Sequence, residues 1–448
     1  MTFGSLTLYA GGPVHMSSGI LERLFKLREH GTNVPTELLG GVTTFVTMAY
    51  IIFVNPSILG DAGMPQDAVF VATCLAAAIG SLVMAFYANY PIGMAPGMGL
   101  NAYFAYVVVL NMGYTWQTAL GAVFVAGILF FIVTAIGLRE MIIRAIPNGL
   151  RVGITAGIGM FLAIIAVKNA GIITASPATL VTLGDMSNPH AILAVIGFAI
   201  IAALTVLQVR AALLIGILVV TVLSFFFADN TFNGIVSLPP SIAPTFLALD
   251  LSNIFSASFA HVVMVFFLVA LFDATGTLMG VAQQAGLMKP SEEHRFSKAL
   301  MADSSAIVAG AVLGTSPTTA YLESASGVQA GGRTGLVAVF VALLFLLSLF
   351  FAPLAGSVPG YATAPALFLV ACLMMRPFAS LEWDDMTEVI PACVTALLMP
   401  FTYSIADGIA FGIISYAGIK LLTGRARDVH PILWVVAVLF LFKLAFGG

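Results

Sequence analysis

Long runs of apolar residues recur along the whole chain, separated by short stretches rich in Gly, Pro and charged residues. Because a membrane-spanning helix needs about 20 predominantly apolar residues, each run predicts one crossing of a bilayer. In the first half the runs lie near residues 36–55, 68–89, 99–111, 115–137, 150–168, 191–208 and 211–228. After a polar, Pro-containing stretch near 229–258, further runs lie near 259–281, 299–313, 318–330, 334–353, 362–376, 387–402 and 404–422. A last run, 431–446, has no counterpart in the first half, and it either spans the membrane or lies along its cytoplasmic surface.

The composition makes lipid the solvent for most of this apolar surface. Of the 448 residues, 60% are hydrophobic and only 8% are charged, whereas soluble domains carry about 25% charged residues. The first strongly apolar run begins near Glu37, too far into the chain for a cleaved signal peptide, so this span is expected to stay in the mature protein. Residues 1–20 are expected to form a flexible N-terminal tail. The sequence therefore predicts an all-α polytopic membrane protein.

The distribution of Lys and Arg predicts the orientation of the chain, because cytoplasmic loops carry an excess of these residues. If every run crosses, including the short ones at 99–111 and 318–330, then 15 of the 17 basic residues lie inside with the N-terminus. Lys168 lies outside, and Lys443 belongs to the unplaced last run. The cytoplasmic group is Arg23, Lys26, Arg28, Arg139, Arg144, Arg151, Arg210, Lys289, Arg295, Lys298, Arg333, Arg376, Lys420, Arg425 and Arg427. This agreement favours fourteen segments as two sets of seven, with the second set inverted relative to the first.

An internal repeat supports the same division. Gly93-Met94-Ala95-Pro96 precedes one short run and Gly314-Thr315-Ser316-Pro317 precedes the other, and each short run is the third of its half. Gly and Pro interrupt helices, and non-helical backbone at membrane depth is tolerated only where it lines a cavity or is buried in protein. A matching pair of interrupted segments is the best sequence indicator of a transporter's binding site. Segments 3 and 10 are therefore predicted to be broken half-helices.

The side chains exclude several classes of function. Cys74, Cys372 and Cys393 lie inside apolar runs and are expected to be small buried hydrophobes. The six His residues show no metal-ligand spacing, so neither a metal nor a cofactor is expected. The chain has no nucleophile elbow, Walker loop or dinucleotide-binding fingerprint, and its few basic residues form no nucleic-acid patch. An enzyme is therefore not expected.

Two carboxyl groups stand out because an ionisable residue within a span costs at least about 2.5 kcal/mol and marks function by default. Asp273 lies deep in the 259–281 run, and Glu323 lies in the second broken helix, with no Lys or Arg in either segment. Apolar surroundings and a nearby carboxylate favour the neutral form of a carboxyl, so such a group can take up and release a proton near neutral pH. It can also accept hydrogen bonds from the N–H groups of a ligand.

Weaker candidates surround these acids. Asn101, in the first broken helix, is expected to bond to the 259–281 span or to touch a ligand. Thr275 and Thr277 supply hydroxyl groups, and Phe272 and Tyr321 offer ring faces for stacking or packing. Backbone N–H groups near Gly97, Gly99, Thr319 and Ala320 form half-helix N-termini, which favour acceptor atoms. Asp303 is expected to be structural or gating, Asp407 to be an N-cap, and Asp384, Asp385 and Glu388 to lie at a wet boundary.

Several motifs together resemble a known family. They are Thr43-Thr44-Phe45-Val46-Thr47-Met48-Ala49-Tyr50, Ala95-Pro96-Gly97-Met98-Gly99-Leu100-Asn101-Ala102, Phe272-Asp273-Ala274-Thr275-Gly276-Thr277, Tyr321-Leu322-Glu323-Ser324 and Gly331-Gly332-Arg333-Thr334-Gly335. From about Leu21 to the C-terminus, the chain is similar to the hypoxanthine/guanine/adenine permeases of the nucleobase–cation symporter 2 (nucleobase–ascorbate transporter) superfamily.

The resemblance implies a fold of fourteen spans as two inverted sevens, in which a core domain moves against a gate domain. The core would comprise residues 21–138 and 259–354, and the gate residues 139–258 and 355–448. An elevator-like mechanism, a homodimer formed through the gate domains and a bacterial inner-membrane location are expected on the same grounds.

The resemblance also assigns site residues. Asp273 matches an acid on span 8, and Tyr321-Leu322-Glu323 matches a Tyr-Gly-Glu on span 10, which adds Leu322 to the candidate contacts. Thr277 stands where the uracil carrier has a His, so a proton relay through that His is not expected here. Glu323 is expected to anchor the N–H edge of a purine, and Asp273 to make a second contact and to couple the proton.

The expected function is proton-coupled uptake of purine nucleobases. Guanine and hypoxanthine present N1–H, which suits a carboxylate acceptor, whereas adenine presents an acceptor there. The Met98-Gly99-Leu100-Asn101 sequence also resembles the guanine/hypoxanthine branch. Three alternatives stay open: an anion or ascorbate carrier on the same fold, a membrane purine sensor that does not transport, and an intramembrane enzyme using both acids.

Overall fold

A computed structural model of the chain describes residues 19–139, 145–287 and 293–446. Within these ranges the protein is mostly helical. Most of the predicted N-terminal tail, together with Arg144 and Lys289 of the predicted cytoplasmic group, lies outside the described residues.

The first half of the chain contains nine of the helices used below as landmarks. They are α1 (Ile20–Phe25), α2 (Val34–Met48), α3 (Ile51–Asp61), α4 (Gln66–Val83), α5 (Met98–Ala102), α6 (Trp116–Ala135), α7 (Asn148–Asn169), α8 (Pro189–Val206) and α9 (Ala212–Phe227). Two π-helical stretches, Met84–Ala88 and Tyr103–Asn111, continue α4 and α5.

The second half of the chain contains the other nine landmark helices. Its helices are α10 (Ala257–Gln284), α11 (Glu293–Leu313), α12 (Ser324–Gln329), α13 (Leu336–Ser348), α14 (Ala352–Gly356), α15 (Gly360–Met374), α16 (Met386–Thr402), α17 (Ile405–Leu422) and α18 (Pro431–Phe446). Short 3-10 turns at Leu349–Phe351, Arg376–Ser380 and Ala426–Asp428 connect some of them.

The lengths and apolar character of these helices make the chain a multi-pass membrane protein. Within the described residues, 10 helices are long and apolar enough to cross a bilayer, and four shorter apolar helices accompany them. Most helices begin and end within two to three residues of the predicted runs, but the 36–55 run forms two helices that extend to Asp61, and the helix of the 299–313 run begins at Glu293. The 318–330 run contains a three-residue strand and then only the six-residue helix α12.

Several helix starts follow local sequence rules. The Asn33 side chain accepts a hydrogen bond from the N–H of Thr36, and Pro35 occupies the first turn of α2. Ser256 caps α10 in the same way, through the N–H of Phe259. Such caps satisfy backbone donors that would otherwise lack partners, which matters most where no water is at hand.

The description of the fold as all-α is wrong at two places, because two short antiparallel ribbons interrupt the helices. Strand β1 (Met94–Pro96) pairs with β4 (Thr318–Ala320), so that Ala95 lies opposite Thr319. A second ribbon, β2 (Ile173–Ser176) with β3 (Leu180–Leu183), follows α7. The β1–β4 ribbon joins the two predicted helix breaks, because extended backbone buried in the protein must find hydrogen-bond partners and each strand supplies them to the other.

The helices form two packing groups, which are defined by the helices that contact one another. In one group α2 and α4 pack on α13, and α6 packs on α10 and α11. In the other, α16 packs on α7 and α17, and α15 packs on α7, α8 and α9. Contacts between the groups are fewer, and they include α5 and α10 against α7, and α3 against α15. The β1–β4 ribbon belongs to the first group and lies where this group faces α7.

Candidate functional site

A cavity of about 810 Å³ lies beside the β1–β4 ribbon, between the two packing groups. Its lining extends from the ribbon to Asn148 and Arg151 in the first turn of α7, and to Pro377 and Ser380 after α15. The predicted site residues on its wall are Gly99, Phe272, Asp273, Thr275, Thr277, Ala320, Tyr321, Leu322 and Glu323. Nine of the ten predicted contacts therefore share one cavity, although they come from three separate parts of the chain.

Asp273 lies in the middle of α10 and faces the ribbon. Within the described residues, the Asp273 carboxyl group makes no hydrogen bond or ion pair. The carboxyl groups of Asp303 and Glu323 lie close enough to interact with it electrostatically. A Cβ atom built on Gly97 would lie 3.6 Å from the Asp273 Oδ2 atom and 3.0 Å from the Cγ2 atom of Thr319. The absence of a side chain at Gly97 therefore leaves this carboxyl accessible at the start of α5.

The close approach at Gly97 has a measurable consequence. Because overpacking a tight contact costs about 1–3 kcal/mol, we expect Gly97→Val to lower the unfolding temperature of the detergent-purified protein. Gly418→Val is the matched control, since a Cβ on Gly418 in α17 meets nothing within 4 Å. Equal unfolding temperatures for the two variants would show that the ribbon tolerates a side chain there.

Glu323 directly precedes α12, and its carboxyl group has one strong partner. The Tyr50 hydroxyl donates to the Glu323 Oε1 atom at 2.6 Å. Tyr50 is 1% exposed and lies in the break between α2 and α3. The carboxyl group is thus oriented by a rigid phenol on the wall of the cavity.

Tyr321 fixes the ribbon and presents only a small part of its surface to the cavity. Its hydroxyl group donates to the backbone oxygen of Pro96 at 2.6 Å, and its N–H donates to the oxygen of Gly93 at 3.1 Å. The side chain is 5% exposed, so packing accounts for most of its surface. Phe272 is 8% exposed and offers little more. Leu322 is the prominent apolar side chain, with 56% of its surface exposed.

The half-helix N–H groups are only partly free. The N–H of Ala320 donates to the Asp303 Oδ1 atom at 3.1 Å, and the N–H of Gly97 donates to the oxygen of Pro317 at 2.9 Å. The Gly97 N–H therefore bonds across the ribbon, the Ala320 N–H joins β4 to α11, and Thr319 is paired with Ala95 in the strand ladder. The hydroxyl oxygen of Thr275 accepts from Arg139, whereas Thr277 makes no side-chain hydrogen bond recorded within the described ranges.

The prediction that Asn101 touches a ligand or the 259–281 span needs correction. Asn101 is fully buried outside the cavity, and its amide donates to the Oδ1 atom of Asn55 at 3.2 Å. Asn55 in α3 also donates to Thr73 and Thr315 and accepts from Ser316. This polar cluster pairs the Asn101 amide nitrogen with α3, while the Asn101 Oδ1 atom has no hydrogen-bond partner within the described residues.

The peripheral acids also differ in detail from expectation. Ser404, and not Asp407, caps α17, since the Ser404 hydroxyl accepts from the N–H of Asp407 in the first turn. Asp385 caps α16 through the N–H of Thr387. Glu388 pairs with Lys420 at 3.2 Å.

Sequence reasoning did not assign Tyr50 or Arg139 to the site. Tyr50 ends a motif that resembles the family, which was a usable signal, but nothing local indicates that its hydroxyl reaches Glu323. Arg139 follows a span and resembles an ordinary cytoplasmic flank, although it is 1% exposed. Both contacts join residues more than 130 positions apart.

A multi-pass helical protein with two paired, interrupted segments beside a cavity lined by two acids has the arrangement expected of a solute permease. Residues 35–411 match the model of a permease family, Xan_ur_permease. The chain belongs to this family, which is the nucleobase–ascorbate transporter family. The predicted family resemblance is therefore confirmed.

Characterised relatives cover nearly the full chain. The chain is 51% identical to the adenine permease AdeP of Escherichia coli, over 96% of each sequence. It is 48% identical to the guanine/hypoxanthine permease PbuO of Bacillus subtilis, over 94% of this chain and 99% of that protein.

Solved structures share the fold at low sequence identity. The transmembrane domain of the cyanobacterial bicarbonate transporter BicA superposes with a TM-score of 0.63 at 18% identity, covering 86% of this chain and 98% of that one. The murine anion transporter Slc26a9 in its inward-facing state gives 0.61 at 12% identity, covering 90% and 72%.

Proposed function

We propose that the protein is a proton-coupled symporter for purine nucleobases. The observation that carries this proposal is the pair of carboxyl groups, Asp273 and Glu323, on the wall of one cavity beside two interrupted segments. Neither forms an ion pair with a Lys or Arg of the described chain. Two such acids offer hydrogen-bond acceptors to a neutral N–H-rich ring and a place for a proton.

Glu323 is the proposed anchor for the ring. Its Oε1 atom accepts from Tyr50, so the carboxyl group has a fixed orientation on the cavity wall. Asp273 makes the second contact and carries the coupling proton. Leu322 and Phe272 supply apolar surface, and Thr275, Thr277, Ala320, Tyr321 and Gly99 complete the wall. Asn101 acts from outside the cavity, through Asn55.

Hypoxanthine and guanine are the proposed substrates, and adenine is the second candidate. The carboxylate of Glu323 suits the N1–H of an oxopurine, whereas adenine would need a protonated carboxyl or another pose. The names of the relatives support both, because the chain is 51% identical to an adenine permease and 48% identical to a guanine/hypoxanthine permease.

The two packing groups correspond in this proposal to a core domain (residues 21–138 and 259–354) and a gate domain (139–258 and 355–448). The core would carry the ligand past the gate in an elevator-like movement, with fourteen segments as two inverted sevens. Arg151, Pro377 and Ser380 at one end of the cavity would face the cytoplasm, together with the N-terminus. A homodimer through the gate domains in a bacterial inner membrane completes the proposal.

An anion carrier is the main rival, since solved transporters of bicarbonate and other anions share this fold. Anion sites use helix N-termini without adjacent acids. Here two carboxyl groups occupy the same cavity, and the N–H groups of Gly97 and Ala320 already have acceptors in Pro317 and Asp303. These features favour a neutral ligand that donates hydrogen bonds.

The test is uptake of radiolabelled hypoxanthine into proteoliposomes, with and without an inward proton gradient, in competition with guanine, adenine, xanthine and uracil. Gradient-stimulated uptake blocked by guanine is expected. Binding of hypoxanthine without uptake would indicate a sensor. The proposal would be refuted if the folded protein neither bound nor transported any of these purines.

Tyr50→Phe should weaken hypoxanthine binding by about tenfold, because a lost hydrogen bond to a charged group costs about 1.5 kcal/mol or more. The ring remains, so the packing between α2 and α3 is retained. Equilibrium binding to the purified protein measures the effect. Tyr87→Phe, at an exposed tyrosine after α4, is the matched control and should bind like the wild type. An unchanged affinity for Tyr50→Phe would mean that Glu323 needs no orienting partner.

A further inference from the structure

Arg139 is a fully charged side chain that is only 1% exposed, in a protein with few charges. Its guanidinium donates to the Thr275 hydroxyl oxygen from Nε at 3.3 Å and from Nη2 at 3.0 Å. Nη1 donates to the backbone oxygen of Leu300 at 3.2 Å, and the group lies 4.4 Å from the centre of the Phe130 ring. A buried charge is stable only with such partners, so its position is tightly defined.

Asp303 extends this network to the ribbon. Its Oδ2 atom lies 3.8 Å from the Arg139 Nη2 atom and has no hydrogen bond within the described chain. Its Oδ1 atom accepts from the Thr319 hydroxyl at 2.9 Å and from the Ala320 N–H at 3.1 Å. The carboxylate therefore binds β4 with one oxygen and faces the guanidinium with the other.

We propose that Arg139 is a positioning residue for ligand binding. It sets the distance between α10, which carries Asp273, and strand β4, which precedes Glu323. Directly, it holds Thr275, two residues after Asp273. Through Asp303 it holds Ala320, three residues before Glu323. Arg139 itself does not line the cavity. This inference rests on the proposed function, because it assigns the residue that spaces the two ligand-binding acids.

If the role of Arg139 were purely structural, its contacts would hold α6, α10 and α11 together without affecting ligand binding. A nearby hydrogen bond provides the comparison. The hydroxyl groups of Thr134 and Ser304 lie 3.1 Å apart, both buried, and they join α6 to α11 without touching any residue of the cavity wall. Ser304→Ala therefore removes a link between α6 and α11. It also removes one of the two hydrogen bonds that the Leu300 oxygen accepts, but every donor and acceptor that Arg139 contacts remains.

Arg139→Lys keeps the positive charge and most of the length, so the variant is expected to fold, but an ammonium group cannot reproduce the planar guanidinium contacts. We expect its hypoxanthine affinity to fall by about tenfold, whereas Ser304→Ala binds like the wild type. Thr275→Val should show a similar loss, and the double variant should lose little more than either single one, because both remove the same link. Wild-type affinity in Arg139→Lys, or an equal loss in Ser304→Ala, would overturn the inference.

A second measurement does not depend on any purine. Leu322→Cys, in a background with Cys74, Cys372 and Cys393 replaced by Ser, places a thiol in the cavity beside Glu323. Its labelling rate by a small maleimide should change severalfold on adding Arg139→Lys and stay constant on adding Ser304→Ala. An unchanged labelling rate with Arg139→Lys would refute the positioning role, whether or not the wild type binds a purine. Absence of purine binding by the wild type would refute the proposed function instead.

Discussion

Asp273→Asn is expected to abolish proton-driven purine uptake while the protein still folds and binds its ligand. An amide has the shape of the protonated acid and, like it, both donates and accepts hydrogen bonds, but it cannot take up or release a proton. Asp273 faces the cavity without a basic partner among the described residues, so no neighbouring charge holds it permanently ionised. Radiolabelled hypoxanthine uptake into proteoliposomes under an inward proton gradient measures the effect.

Two comparisons make this result specific. Asp384→Asn changes an exposed carboxyl that does not line the cavity, and it should transport like the wild type. Exchange of labelled for unlabelled hypoxanthine at equal pH on both sides should survive in Asp273→Asn, since exchange needs no net proton movement. If the Asp273→Asn variant retained gradient-driven uptake, another group would have to carry the proton.

Positions of the helices followed from the sequence because their cause is local. Lipid demands about 20 apolar residues for each crossing, and each apolar run, such as 150–168, can be recognised without knowledge of its neighbours. The helix Asn148–Asn169 accordingly begins and ends within two residues of that run. The two interrupted segments were equally visible, because Gly and Pro leave a clear signal in an apolar sequence.

Pairings between distant segments could not be predicted in the same way. The β1–β4 ribbon joins two tetrapeptides that look like simple helix breaks, and their register depends on how the two halves pack. Asn101 illustrates the error that follows: its position in a half-helix suggested a ligand contact, but a rotation about the helix axis decides whether it meets the cavity or Asn55. Acids in spans were informative because burial is costly for them wherever they point.

Arg139 is a second residue whose surroundings could not be predicted from the sequence. A basic residue after a span normally lies at the membrane surface, and the same rule counted Arg139 among the cytoplasmic residues. Its burial depends on partners contributed by α10 and α11, more than 130 residues later in the chain. Local sequence therefore predicts only a side of the membrane for this residue, and tertiary contacts decide which partners it meets.

Glu323→Gln is expected to weaken hypoxanthine and guanine binding by about 10- to 100-fold, because a hydrogen bond to a charged acceptor contributes about 1.5–3 kcal/mol. Adenine should be affected much less, since the amide can donate to the acceptor at its N1 position. The variant would thus change relative preference as well as affinity. Competition of each purine against labelled hypoxanthine, together with direct binding of labelled adenine, measures both changes. Glu382→Gln, at an exposed position, is the matched control.

The direction of the change identifies what Glu323 touches. A loss confined to the oxopurines would indicate that the carboxylate meets the N1–H edge, with Tyr50 holding it in place. An equal loss for adenine and hypoxanthine would point to an edge that both rings share, such as the imidazole N–H, and the oxopurine preference would then need another cause. Unchanged binding of all purines would contradict the role of Glu323 as anchor, and Asp273 would be left as the only acid able to accept from the ligand within the described cavity wall.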